Sequence, residues 1–449
     1  MRLGLATLTL VLLAGPAHAS PADVLGLGSE AAALGGAVTA RATGWEASYY
    51  NPAGLVFESR SDRGAATLGV VGSGSTLAIN GKPYAISEQL GVQLGAHLPL
   101  PLGSFLKHRL AVGFSMYALP KNVLRVIARL PSDEFYPYYD NRTQRLVILP
   151  ALGIKLHDRV SIGVGFNFLA GLTGAVQSGQ GESRAIDARV DEEVYTNVKL
   201  NSGLRVEAGW GISLGAAYRP AFSVPFRTTT HNVVAGQNID LDVDAEGLYS
   251  PHQLALGAAW RFRMLALSFD ADWSGWSSWK GPYVGVSSEL PLAGRLDVAV
   301  PHLRFSDVWA LRGGAELRVV ETPSVELDTR LGGGFEPSPI PPQHGVTNLV
   351  DGDKLMLGAG VGLRLAGLLP KPVRLDVHFQ LQLVGDRADA KVRAAAGETP
   401  DPADKLRDEV KDVQGDLSTM GFQTSNPGYP VLRGGGAVYA GGFNVTFEL

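Results

Sequence analysis

Apolar and polar residues alternate along most of the chain. From Val308 to Val320 one parity reads Trp309, Leu311, Gly313, Ala315, Leu317 and Val319, and the other reads Val308, Ala310, Arg312, Gly314, Glu316, Arg318 and Val320. From Val373 to Val384 an apolar parity alternates with Arg374, Asp376, His378, Gln380 and Gln382, and from Leu355 to Leu365 another alternates with Met356, Gly358, Gly360, Gly362 and Arg364. Successive side chains of a strand face opposite sides, so each segment has one apolar face and one polar or small face. The segments run about ten residues or slightly more, which is what a tilted strand needs to cross a bilayer. A soluble sandwich alternates too, with its apolar face inward. Three features favour a membrane barrel: long segments, aromatic residues near their ends such as Trp273, Trp276 and Trp279, and connections that are alternately short and long.

Fourteen segments fit this pattern: Arg63–Val71, Leu90–Leu98, Leu110–Leu119, Leu146–Leu156, Val160–Leu169, Leu204–Tyr218, Phe222–Thr230, Gln253–Phe262, Met264–Trp273, Phe305–Val320, Ser324–Phe335, Leu355–Leu365, Val373–Val384 and Ala437–Leu449. Pro225 interrupts the seventh. Short connections such as His157–Arg159, Arg219–Ala221 and Arg263 follow even strands. Long ones such as Lys121–Gln144, Ala170–Gly203, His231–Tyr249 and Gly385–Gly436 follow odd strands. The fold class expected is all-β, a transmembrane antiparallel barrel of about fourteen strands. Leu25–Leu55 does not alternate. It is rich in Gly and Ala and ends in Tyr49-Tyr50-Asn51-Pro52-Ala53-Gly54-Leu55, whose Asn-Pro and Ala-Gly steps break regular structure. Small residues let a backbone approach its surroundings closely, so this segment reads as a plug inside the barrel.

Composition agrees. Hydrophobic residues make up 45% of the 449-residue chain and charged residues 18%, with a formal net charge of −4, so nothing indicates disorder or a basic nucleic-acid surface. The chain has no cysteine, which excludes disulfides, thiolate metal sites and a cysteine nucleophile. Met1–Ala19 reads as a secretory signal: Arg2, an apolar Leu3–Gly15, and Ala17-His18-Ala19 before the cleavage point. No later stretch reaches about 18 uninterrupted apolar residues, so a barrel is the remaining way to span a membrane. None of the nine histidines has metal-ligand spacing, and neither a Gly-x-Ser-x-Gly elbow nor a phosphate loop is present. No cofactor, metal or catalytic residue is expected. Asp401-Pro402 followed by Leu406, Val410, Val413 and Leu417 on one face predicts a loop helix, either a flap over the mouth or a solvated helix packed on its neighbours.

The run ALGGAVTARATGWEASYYNPAGL, ending at Leu55, resembles the N-terminal hatch of the FadL-type outer-membrane transporters of Gram-negative bacteria. Two further segments are similar to the same family: Asp307-Val308-Trp309 leading to Gly314-Ala315-Glu316, and Ser338-Pro339-Ile340-Pro341. Trp45 departs from the short polar residue expected there, and Leu449 departs from the usual terminal aromatic, while Phe443 and Phe447 keep its phase. The resemblance implies residues 20–56 as hatch and 57–449 as a fourteen-stranded barrel. It implies a monomer in the outer membrane among lipid and lipopolysaccharide. It also implies a hydrophobic small-molecule ligand, either a long-chain fatty acid or, as in the TodX-like branch, an aromatic or aliphatic hydrocarbon. The ligand would bind an external groove, pass to a pocket above the hatch and leave laterally through a kink in the third strand, here Leu110–Leu119 with Gly113. Asn51, Pro52, Ala53 and Gly54 are the candidate gating residues. Arg261, Arg312, Arg318, Arg364, Arg374, Asp270, Glu316, Asp328 and Asp376 are expected in the lumen, either knitting it together or meeting the ligand. Arg312, Arg318, Arg364 and Arg374 are the candidates for a carboxylate. Phe135, Tyr136, Tyr138, Tyr139 and Tyr283 would form either a capture groove or an interfacial girdle. An open diffusion porin and a structural or adhesive barrel are the other classes.

Overall fold

The computed structural model describes residues 21–57, 64–86, 89–103, 109–119, 129–142, 146–180, 186–234, 237–290, 294–297, 300–344, 347–367, 370–390, 427–428 and 431–449. The expected signal segment and the loop helix after Asp401 lie outside these residues.

One continuous sheet holds the strands, and fourteen of them close into an antiparallel barrel. These wall strands are β1 (Ala65–Ser75), β2 (Gln89–Pro99), β3 (Leu110–Ala118), β4 (Val147–His157), β5 (Val160–Gln180), β6 (Ile186–Gly209), β7 (Ile212–Arg219), β8 (His252–Phe262), β9 (Leu265–Gly275), β10 (Val308–Glu321), β11 (Val325–Glu336), β12 (Lys354–Leu365), β13 (Val373–Ala390) and β14 (Val431–Glu448). Each pairs with the next, and β14 pairs back onto β1 from Ala65↔Glu448 to Ser75↔Val438. Because β14 pairs back onto β1, the ring has no terminal strand, which is how strands cross a bilayer.

The alternation is inside out relative to a soluble protein. On β13, Val377 and Phe379 are 47% and 54% exposed, whereas Arg374, Asp376, His378, Gln380 and Gln382 are buried. Apolar residues point outward and polar ones into the lumen, so the sandwich alternative fails on burial. No helix of the described residues is long and apolar enough to cross a membrane.

Two sequence assignments are corrected, and they cancel in the count. Leu204–Tyr218 is not one strand but the end of β6, a two-residue turn and β7. Gly209, Trp210 and Gly211 all have positive φ, at 95°, 53° and 78°. A register shift between Glu207 and Gly209 keeps even residues outward on both strands, so the alternation runs unbroken through the turn. Phe222–Thr230 is not in the wall. It belongs to a strand, Phe222–Val234, that forms a hairpin with Gln237–Ser250 above the barrel. Arg219–Ala221 therefore lies at the end carrying the long loops, not among the short turns.

The N-terminal segment packs against the inner face of the wall. It comprises α1 (Pro21–Leu25), α2 (Ser29–Ala33), a 3-10 turn Gly44–Glu46, α3 (Ala47–Tyr50) and a second 3-10 turn Pro52–Val56. Wall glycines face it at close range: Gly95 against Trp45, Gly163 against Pro52 and Ala53, Gly203 against Asn51, Gly215 against Thr39, Gly332 against Leu34, and Gly358 against Ala32 and Ala33. A Cβ at these positions would collide with the hatch. The alternating glycines of the sequence are thus the socket that receives it.

Candidate functional site

The hatch is tied to the wall by side chains of the polar face. Its backbone N–H groups donate to wall side chains: Gly28 to Gln93 Oε1 (3.2 Å), Ser29 to Asn444 Oδ1 (2.6 Å) and Thr39 to Asp270 Oδ2 (2.8 Å). Its carbonyls accept in return: Trp45 O from Ser115 Oγ (2.7 Å), Ala53 O from Ser161 Oγ (2.7 Å) and Ala42 O from Arg205 Nη1 (3.3 Å). Short irregular segments leave backbone groups without helical partners, and these wall residues satisfy them.

Asn51 sits at the centre and is fully buried. Its Nδ2 donates to Thr39 O (2.8 Å) and to Leu204 O of β6 (3.0 Å), and its Oδ1 accepts from Ala53 N–H (3.1 Å). It thereby ends α3, caps the turn that Pro52 begins, and joins both halves of the hatch to the wall. Gly54 lies directly under Ala42 O, with no room for a side chain. Trp45, the residue that departs from the hatch pattern, is buried in the hollow over Gly95.

A second tie is ionic. Glu30 and Arg41 of the hatch pair with each other (3.1 Å). Glu30 meets Arg330 of β11 (3.0 Å), Arg41 meets Glu316 of β10 (3.0 Å), and Arg330 also bonds Glu316 (2.6 Å) and Asp376 (2.8 Å). Arg330 is 2% exposed and was not singled out in the sequence, although it shares a parity with Asp328. Nearby, burial pushes the Glu46 carboxyl well above its ordinary range. The charges of Glu30 and Asp376 add to this, against Arg330 and Arg41.

Space remains on both sides of the hatch. Toward the long loops lies a cavity of about 70 Å³, lined by Asp23, Tyr49, Tyr50, Arg219, Gln253, Asp272, Arg312 and Glu336 among others. Toward the short turns a wider vestibule of about 490 Å³ is lined by Arg41, Glu46, Phe57, Lys155, Arg205 and Arg374 among others. The upper cavity is smaller than the ~150 Å³ that takes up benzene in an engineered core. A ligand of that size therefore needs the hatch or the cap to move.

The four candidate arginines are dispersed. Arg312 lines the upper cavity and bonds Asp272 (2.7 Å), Glu336 (3.3 Å) and Gly35 O (3.3 Å). Arg374 borders the vestibule and bonds Asp376 and Asp328. Arg318 pairs with Asp328 (3.0 Å) and Arg364 with Glu448 (2.6 Å), both nearer the short turns. A fifth arginine, Arg219, shares the upper cavity. The sequence places it in a connection, where no strand parity marks it as luminal.

Above the cavity the loop aromatics form a cap. Phe135, Tyr136, Tyr138, Tyr139 and Tyr283 are buried, as are Trp276 and Trp279. Tyr138 stacks edge-on against Tyr139 (5.2 Å between centroids), and Lys354 Nζ stands 4.0 Å from the Tyr138 ring. Burial pushes the phenols of Tyr136 and Tyr139 up. The interfacial role expected for Trp276 and Trp279 is thus corrected: they close the lumen. Trp273, half-buried, stays in the wall opposite Trp309, which is exposed.

The third strand keeps unbroken ladders with both neighbours, and Gly113 receives Ser48 and Leu55 of the hatch. The wall is interrupted elsewhere. β4 pairs with β5 only from Ala151↔Gly165 downward, so Val147–Pro150 have no partner on β5. The Phe222–Val234 strand takes up the β5 edge in parallel only from Leu172. Six residues of β5 edge, Phe166 to Gly171, lie between, about 20 Å at ~3.3 Å per residue. Pro150, without an N–H to donate, stands where the ladder stops. Behind this window, Ser48 O and Pro52 Cγ lie 3.4 and 3.5 Å from where a Cβ on Gly165 would be.

No family model matches the chain, and no curated protein matches it in sequence. Its structure is similar to that of a Pseudomonas aeruginosa FadL homologue, with a TM-score of 0.56 at 14% identity over 97% of this chain and 100% of that one. The CymD monoaromatic hydrocarbon channel is similar at 0.53 and 14%, over 95% of this chain and 98% of that one. The P. putida toluene transporter TodX is similar at 0.53 and 14%, over 95% and 99%. The fold is that of the FadL- and TodX-type barrels.

Proposed function

We propose that this chain is an outer-membrane uptake channel for hydrophobic molecules, with long-chain fatty acids as the first substrate class and hydrocarbons as the second. One arrangement supports the reading: a hatch seated between a small cavity on the long-loop side and a window in the wall. A porin needs an open bore, and an adhesive barrel needs no window. The ligand collects under the aromatic cap, enters the cavity and leaves sideways into the bilayer between β4 and β5, with α3 and Asn51-Pro52 as the gate. This exit replaces the third-strand route. An apolar chain avoids the charged vestibule in this way, and burying each methylene in lipid is worth about 0.8 kcal/mol. The likeness to a FadL homologue and to toluene and monoaromatic hydrocarbon channels supports both substrate classes alike.

Because the chain has no native cysteine, a pair at Ile148→Cys and Phe168→Cys can be bridged across the window by a reducible bifunctional thiol reagent. Uptake of labelled oleate is measured in cells lacking their own FadL. The expected result is uptake that stops on bridging and returns on reduction. Uptake unaffected by a completed bridge overturns the lateral route, and no uptake of oleate or toluene by an assembled barrel overturns the transport reading.

A further inference from the structure

We infer that the inner edge of the window carries a subsite for a neutral hydroxyl, formed by Asn167 and Asn201 around Gly165. This rests on the uptake reading and adds a ligand class to it: long-chain alcohols and other apolar molecules bearing one un-ionised O–H.

Gly165 is the last residue of β5 that pairs with β4, through Ala151, so it stands where the window begins. Its partner across the ladder to β6 is Asn201, and Asn167 is the next residue of β5 on the same luminal face. The two asparagines are diagonal neighbours, about 7–8 Å apart at the backbone, a gap that two amide groups and one oxygen atom span. Both are buried, at 8% and 3% exposure. Asn167 Oδ1 and Asn201 Nδ2 have no hydrogen-bond partner among the described residues. Buried polar atoms are nearly always paired, so an acceptor and a donor left over on either side of one glycine call for a third group between them.

The hatch leaves room for that group at Gly165 and not at the neighbouring luminal glycines. A Cβ on Gly163 would collide with Pro52, and one on Gly203 with Asn51. On Gly165 the nearest atoms would be Ser48 O at 3.4 Å, Pro52 Cγ at 3.5 Å and Ala151 Cβ at 3.7 Å, which are ordinary contact distances. The notch therefore admits one heavy atom. Ser48 O is a further acceptor beside it: its helical donor would come from residue 52, and Pro52 has no N–H.

One donor and two acceptors around a one-atom notch suit a hydroxyl, which accepts from Asn201 and donates to Asn167 or to Ser48 O. A carboxylate only accepts, so it meets Asn167 Oδ1 and Ser48 O with nothing to donate. A hydrocarbon pairs with none of the three. An alcohol is thus held by its head at the threshold while its chain leads out through the window into lipid.

The test measures binding of oleyl alcohol and of 1-octadecene to the full chain in lipid nanodiscs, with heat-modifiable migration confirming an assembled barrel for each variant. Partition of each ligand into the lipid is common to all variants and cancels when their affinity ratios are compared. Gly165→Ala fills the notch with a methyl group at ordinary contact distance, and Asn201→Leu keeps the volume but removes the donor. Each is expected to lower the ratio of alcohol to alkene affinity about threefold to tenfold, the worth of one hydrogen bond, with octadecene binding unchanged. Binding of ionised oleate is expected to be the same in all three proteins. An unchanged alcohol-to-alkene ratio in both variants would mean that the notch takes water only, and overturns the subsite while uptake stands. Cells carrying the assembled wild type that take up neither ligand overturn the uptake reading itself.

Discussion

At the scale of single residues, Asn51 and Glu46 make opposite predictions about what holds the hatch. Asn51→Ala removes three hydrogen bonds, to Thr39 O, to Leu204 O and from Ala53 N–H, each worth about 0.5–1.5 kcal/mol. The barrel should still assemble, while the hatch becomes sensitive to protease and the channel conducts ions in planar bilayers. A silent channel with a protected hatch would remove Asn51 from the gate. Glu46 acts through its proton. Its folded value is raised above the ordinary carboxylate value, so its contribution to a seated hatch is complete below that ordinary value and fades as pH rises through the raised one. Hydrogen exchange across Gly28–Tyr50 should therefore quicken with pH in that window, and Glu46→Gln should flatten the dependence. These two roles differ in legibility. Asn51 is visible in the sequence because Asn-Pro after two tyrosines is a turn signal. Glu46 depends on burial among Glu30, Asp376, Arg330 and Arg41, which come from the hatch, β11 and β13.

At the scale of elements, the strands were legible because lipid and lumen impose opposite demands on alternate residues. The errors came where that rule continues through a turn or stops at one. Gly209-Trp210-Gly211 preserves parity, so two strands read as one, while Phe222–Val234 alternates enough to pass as wall and instead caps the β5 edge. The window was not legible at all, since a missing ladder leaves no mark on alternation beyond Pro150. The glycines were visible as a stripe, but their purpose depends on what faces them. Gly332 lies directly against the backbone between Leu34 and Gly35, so Gly332→Leu should unseat α2 while β10, β11 and β12 stay paired. Raised permeability to a small polar solute in liposomes, with unchanged heat-modifiable migration, would bear this out, and unchanged permeability would show that the hatch accommodates the side chain.

At the scale of the whole molecule, the lumen is asymmetric. The glycine and backbone contacts to β3–β6 hold the C-terminal half of the hatch, around Asn51–Val56. The ion pairs to β10 and β11 hold Glu30 and Arg41, with Asp376 of β13 behind Arg330. Removing Arg330 takes one of two cationic partners from each of Glu30, Glu316 and Asp376, which are left with Arg41 or Arg374 alone. Arg330→Met should therefore free the N-terminal half of the hatch first, seen as protease cleavage before Thr39 with the Asn51 region still protected.

The hydrogen bond from Ser29 N–H to Asn444 spans 415 residues of sequence, and it sets an order of events during biogenesis. The hatch is made first, yet the wall around it is complete only when the last strand zips onto β1. A plug that fills its socket this tightly cannot easily be threaded in afterwards. The earliest part of the chain must be gathered beneath an unfinished, open sheet and wait there until the final strand arrives. A chain that stalls before β14 should therefore carry its hatch exposed, and the cell's quality control would meet an unsealed plug before it met an unsealed pore.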